Sequence, residues 1–181
     1  MRLKTILKFG VTGLSIAAAI IFYINITAPK PFLADKSLLD DADPKKGSHV
    51  YLAAGCNSCH VSVESTKKDH LAGGQKFETN FGTFVAPNIS NSVLYGIGTW
   101  DFQDFYGAVK FGQNPQGSHY FPAFPFTSYS RMTDQDVANL WSFWQTLPSV
   151  DIPSGEHQIS FPFNIRRNLG IWKTLYMRDN F

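Results

Sequence analysis

The stretch that decides the fold is GCNSCH, residues 55–60. The chain has only two cysteines, Cys56 and Cys59, so this hexapeptide holds every thiol it owns. Two thiols separated by two residues, with His60 adjoining the second, suit three chemistries: a redox-active dithiol, half of a zinc site, or a covalent seat for haem. The flanking residues separate them. Upstream, Asp43 is an N-cap and Pro44 a first helical residue for the run KKGSHVYLAAG, so a helix leads straight into the pair. A thioredoxin-like dithiol belongs instead to an alternating α/β framework, and no such alternation is written here. A structural zinc site needs a full tetrahedral ligand set. There is no second cysteine pair, and His49, His70, His119 and His157 lack metal-ligand spacing. What remains is C-x-x-C-H, in which both thiols add to the vinyl groups of haem and the adjacent imidazole is delivered to the iron. One covalently attached haem c is therefore expected, with Cys56 and Cys59 as its thioether anchors and His60 as the proximal iron ligand.

The N-terminus supplies the compartment. Arg2, Lys4 and Lys8 precede a run from Phe9 to Pro29 without a charge, 21 residues in all. At ~1.5 Å per residue that run spans a bilayer's hydrocarbon core as a helix. A cleaved signal is the competing reading, with Ala28 as the small residue before the cut, but the run exceeds the roughly 7–15 residues of a signal core and Pro29 follows Ala28 directly. The leading cations hold the N-terminus in the cytoplasm and send residue 30 onward across the membrane. The expected placement is a single pass through a bacterial inner membrane with the rest of the chain in the periplasm, where a close cysteine pair does not stay idle.

Composition sets further bounds. With 181 residues the chain has room for one globular core, and a formal net charge of +2 with no basic run in the globular part excludes nucleic acid as a partner on electrostatic grounds. The division expected is an anchor over 1–29, a linker over 30–43 lifting the domain off the bilayer, a haem domain over 44–150, and a C-terminal extension over 151–181. Two more helices are predicted inside the domain. DFQDFYGAVKF has Asp101 as cap, Asp104 three later and Gly112 as stop; TDQDVANLWSFWQTLP has Thr133 as cap, Asp136 three later, and a stripe of Val137, Leu140, Trp141 and Trp144. The long aromatic, Gly- and Pro-rich loops between them point to a large group to be covered. FGTFV is a candidate short strand, yet the fold class expected is all-α. In the tail, FPFNIRRNLGIWKTLYMR sets Ile165, Leu169, Trp172 and Leu175 or Tyr176 on one side and Arg166, Arg167, Lys173 and Arg178 largely elsewhere, a basic amphipathic helix for a membrane surface, a partner, or its own domain.

The sixth iron position decides what such a haem does. Met1 lies before the membrane run and Met177 in the tail, which leaves Met132, closing the stiff loop FPAFPFTSYSRM, as the candidate distal ligand. His119, which opens the same loop, is its rival.

The chain resembles the class I c-type cytochromes, and in particular the first haem domain of the cytochrome subunits of membrane-bound alcohol, gluconate and related sugar dehydrogenases. GCNSCH, LAGG, FGTFVAPNIS, GIGTW, HYFPAFPFTSYSRMTDQDVANLWSFWQTLP and FPFNIRRNLGIWKTLY carry the likeness over roughly residues 45–178. It implies a helical monohaem fold, and it implies that the carbonyl of Pro87 in APNIS takes the hydrogen bond of the proximal imidazole. Several members of that family carry Met at the place of Phe124, so this PAFPF departs from their PAMPY and leaves Met132 as the only methionine nearby. The function expected is a membrane-anchored carrier of single electrons, no enzyme, working between a dehydrogenase or other respiratory complex and an oxidase or another cytochrome. The alternatives are a haem sensor or enzyme with an open sixth site, and a fixed subunit of a respiratory complex.

Overall fold

The computed structural model describes residues 2–177, with side chains from Lys8 onward. Met1 and residues 178–181, including Arg178 of the expected basic tail, lie outside the described residues.

Helix α1 (Arg2–Thr27) is long and apolar enough to cross a membrane. From Lys8 to Asn25 its side chains are exposed, Phe9, Leu14, Ile21 and Phe22 among them, and among the described residues its contacts with the rest of the protein lie at its C-terminal end, from Tyr23 to Thr27. The core is built where helix α2 (Pro44–Ala54) crosses helix α6 (Asp134–Trp144). Each begins as its sequence dictates: Asp43 Oδ1 accepts from the Lys45 and Lys46 amides, and Thr133 Oγ1 accepts from Asp136 N at 3.1 Å. The crossing depends on Gly47, because a Cβ there would run into the backbone carbonyl of Asn139 and lie 2.8 Å from Phe143 Cβ. Asn139 in turn accepts from Asp43 N at 2.8 Å, tying the cap of one helix to the other. Helix α4 (Phe102–Tyr106) closes the cluster, with Phe105 5.1 Å from Trp141 and 5.3 Å from Trp144 between ring centroids. Val137, Leu140 and Trp144 are buried, each worth on the order of 1.5–3 kcal/mol or more against exposure.

Two expectations need correction. The fold is not all-α. Strands β1 (Lys76–Thr79) and β2 (Gly82–Val85) form a tight antiparallel hairpin, and β3 (Gln158–Ile159) adds to β2 with Gly82 opposite Ile159. Strand β2 is the candidate strand FGTFV; β3 arrives from the C-terminal extension, where a two-residue strand leaves no periodic trace. Nor do residues 30–43 hold the domain at a distance. Phe32 stacks on Phe111 with centroids 4.7 Å apart and lies where a side chain at Gly107 would be. The Gln103 amide grips the same segment, accepting from Ala34 N at 2.8 Å and donating to Phe32 O at 3.1 Å. The segment is a strap laid on the domain, because its Phe and Ala side chains gain more from burial than a solvated linker would retain.

The tail helix α7 (Leu169–Tyr176) packs on the end of α1, with Gly170 against Thr27. Its faces also differ from the sequence reading: Lys173 is buried, whereas Leu175 and Tyr176 are 59% and 72% exposed.

Candidate haem-attachment site

Gly55 ends α2 in the left-handed region (φ 69°), a conformation open to glycine, and the chain re-enters a short helix α3 (Cys56–His60) that carries the whole motif. Neither cysteine is in a disulfide; Cys56 is half-buried and Cys59 exposed. Burial pushes the Cys56 thiol up to about 12, so the thiol there stays protonated; a thioether, having no proton to lose, incurs no such charge penalty.

His60 Nδ1 lies 2.8 Å from the carbonyl oxygen of Pro87. A carbonyl only accepts, so Nδ1 carries the hydrogen and the neutral ring keeps its lone pair on Nε2, the form a metal needs. Burial holds the imidazole below its usual range, which favours that neutral ring, with the Pro87 bond opposing in part. The two partners are 27 positions apart, and the segment LAGG between them holds them together. Gly73 N donates to His60 O at 2.9 Å, and Gly74 N donates to Ala86 O at 2.9 Å. Gly73 has φ 68°, and a Cβ on it would lie 2.6 Å from Pro87 O, so only glycine lets the two chains pass so closely.

The Pro87 loop is secured from its other side by residues the sequence reading left unassigned. Asn88 Nδ2 donates to Val150 O and Ile152 O, both at 2.8 Å, while Asn91 Nδ2 donates to Trp144 O and Leu147 O at 2.8 and 2.7 Å. Trp144 Nε1 donates to Ile89 O at 2.9 Å. Asn91 thereby gives a donor to the last carbonyl of α6, Trp144 O, which also accepts from Leu147 N at 3.0 Å, and to Leu147 O in the turn beyond it. Asparagines after a proline in a loop otherwise poor in regular structure were the available signal, since such a loop needs side chains to pair its backbone.

Met132 is half-buried, placed just before the cap of α6 and packed against the core cluster. Its backbone is fixed at both polar groups: its N–H donates to Tyr129 O at 2.9 Å and its carbonyl accepts from Lys110 Nζ at 2.6 Å. Tyr129, in helix α5 (Phe126–Tyr129), donates its hydroxyl to Ala54 O at 2.7 Å. Burial pushes its phenol up to about 12, with smaller contributions from the Cys56 and Cys59 thiols close by. The hydroxyl therefore ties the loop that bears Met132 to the last turn of α2, beside the cysteines. Sequence reasoning gave Tyr129 no role. Phe124 sits among aromatic rings, 5.8 Å from Tyr120 and 5.7 Å from Tyr129 between centroids. His119 is elsewhere: it is buried against the end of α1, with Nε2 3.0 Å from Thr27 O. His157 accepts from Val85 N through Nδ1, and His70 pairs with Ser65, so neither is gathered to the motif.

A family model for cytochrome c matches residues 44–148. A diheme cytochrome c-type protein of Cereibacter sphaeroides is 43% identical over 135 residues, covering 74% of this chain and 46% of that protein. The fructose dehydrogenase cytochrome subunit of Gluconobacter japonicus is 34% identical over 148 residues, 81% of this chain and 29% of that one. The gluconate 2-dehydrogenase cytochrome c subunit of Pantoea cypripedii is 31% identical over 141 residues, 77% of this chain and 31% of that one. The chain thus spans less than half the length of each of these relatives. Cytochromes c bind haem covalently and transfer electrons. From residue 44 to residue 148, this chain belongs to the cytochrome c family.

Proposed function

We propose that the protein is a membrane-anchored monohaem cytochrome carrying single electrons between a dehydrogenase or other respiratory complex and an acceptor such as an oxidase. In this reading Cys56 and Cys59 hold the haem, His60 is the proximal ligand oriented by Pro87, Met132 is the distal ligand, and α1 spans the bilayer with the haem domain on the periplasmic side. The observation that carries it is the contact of 2.8 Å between His60 and Pro87, which leaves Nε2 free for iron. When bound, the haem supplies a one-electron couple; the protein's part is to fix the imidazole, exclude water with aromatic loops and present an edge to partners. A dehydrogenase donor is suggested by the names of the relatives from Gluconobacter and Pantoea.

A second reading has its own support. Met132 packs against the core, and the place at which related chains carry Met is here Phe124, enclosed by aromatic rings. A sixth position left open would make the protein a haem sensor or enzyme. The absorption spectrum of the reduced protein, before and after adding carbon monoxide, separates the two. An unchanged spectrum is expected for the carrier, whereas a carbon monoxide complex forming at low gas concentration would give precedence to the second reading.

A further inference from the structure

The last turn of α1, helix α7 and residues 112–119 meet around a cavity of about 400 Å³. Its lining includes Asn25, Lys30, His119, Lys173, Thr174 and Met177, and among the described residues no carboxylate. Lys173 is 8% exposed. Its ammonium donates to Phe111 O at 2.6 Å and Gly112 O at 2.9 Å and stands 4.6 Å from the centre of the Phe126 ring. Two more cations adjoin: Arg166 Nη1 donates to His119 O at 3.1 Å, and Arg167 donates to Thr27 Oγ1 and Ile24 O, both at 2.9 Å. The ion pairs among the described residues, Lys36 with Asp101 and Lys110 with Asp134, involve none of these groups. Among the described residues these cations are held by carbonyls, the Thr27 hydroxyl and ring faces. Their field shows in His119, held below its usual range by burial and also by the charges of Lys173 and Arg167, and burial brings the Lys173 amine down to about 7. An anion in the cavity would relieve both.

The position of the cavity says which anion. Its lining includes Ile26 and Ala28, on either side of Thr27, where the apolar run of α1 ends, and Leu175 and Tyr176 of α7 are exposed beside it. Cations over a cavity, next to exposed Tyr and Leu at the end of a membrane helix, form the pattern of an interfacial lipid site. We propose that this cavity binds the phosphate of an anionic phospholipid headgroup, Lys173 and Lys30 facing the phosphate and the acyl chains lying along α1. The inference rests on α1 spanning the bilayer. A lipid seated there would lock the α1–α7 junction and so fix how the haem domain stands on the membrane.

Native mass spectrometry of the full-length haem-loaded protein in detergent tests it, with phosphatidylglycerol or phosphatidylcholine added. One phosphatidylglycerol should be retained at least tenfold better than phosphatidylcholine. Lys30→Glu, an exposed change that leaves the fold intact, should weaken retention by about fivefold or more, the effect of roughly one surface cation, and Lys173→Met should weaken it further. Equal retention of both lipids, or retention unaltered in both variants, would overturn the proposal, as would displacement of the lipid by inorganic phosphate at equal concentration. The same spectra report haem content and the presence of residues 1–28, so failure of the lipid site is read separately from failure of the haem or anchor assignments.

Discussion

A chain carrying Cys56→Ala together with Cys59→Ala is expected to emerge from cells able to attach haem with no covalent haem at all. The effect is complete because these are the only thiols in the chain and thioether formation has no other substrate. The check is haem staining after denaturing electrophoresis: the wild type stains and the double variant does not. Single variants should be intermediate, each leaving one thioether possible. The half-buried Cys56 lies in the same packed cluster as Val61 and Met132, so its loss should also leave the domain less stable than loss of the exposed Cys59, which can be read from thermal unfolding. Staining of the double variant equal to wild type would place the attachment elsewhere.

Met132→Ala carries the next largest effect. A thioether on iron favours the reduced state, so its removal should lower the midpoint potential by a tenth or more of the ~0.8 V range over which axial ligands act. It should also convert a spectrum indifferent to carbon monoxide into one that responds. Tyr129→Phe is the companion change. It removes the hydroxyl that bonds Ala54 O at 2.7 Å and so loosens the loop bearing Met132 while leaving the thioether in place. A smaller potential shift in the same direction is expected, with folding retained. If redox titration gives the wild-type potential for Met132→Ala, the methionine is a core side chain and Phe124 faces an open iron.

Helices were legible because their signals are local. Asp43–Pro44, the Asp101/Asp104 box and Thr133 with Asp136 state their helix starts within four residues, and each forms the predicted cap. The attachment motif was legible for the same reason, being contiguous. What escaped was tertiary. β3 exists only because residues 158–159 find β2, some 75 positions earlier, and nothing in a dipeptide announces that. The strap at 30–43 looks like a spacer until Phe32 meets the gap over Gly107. Lys173 reads as a surface cation in α7, yet its ammonium turns inward to donate to the carbonyls of Phe111 and Gly112, where a π-helical turn (Gly107–Phe111) ends. Asn88 and Asn91 likewise acquire their roles from the end of α6, more than 50 residues on.

The central claim is that this chain carries a single haem fixed to Cys56 and Cys59. Its most direct test is the intact mass of the denatured protein made in cells that attach haem. The mass expected is that of the polypeptide plus one haem, retained under denaturing conditions; a mass equal to that of the bare polypeptide would mean that no haem is attached.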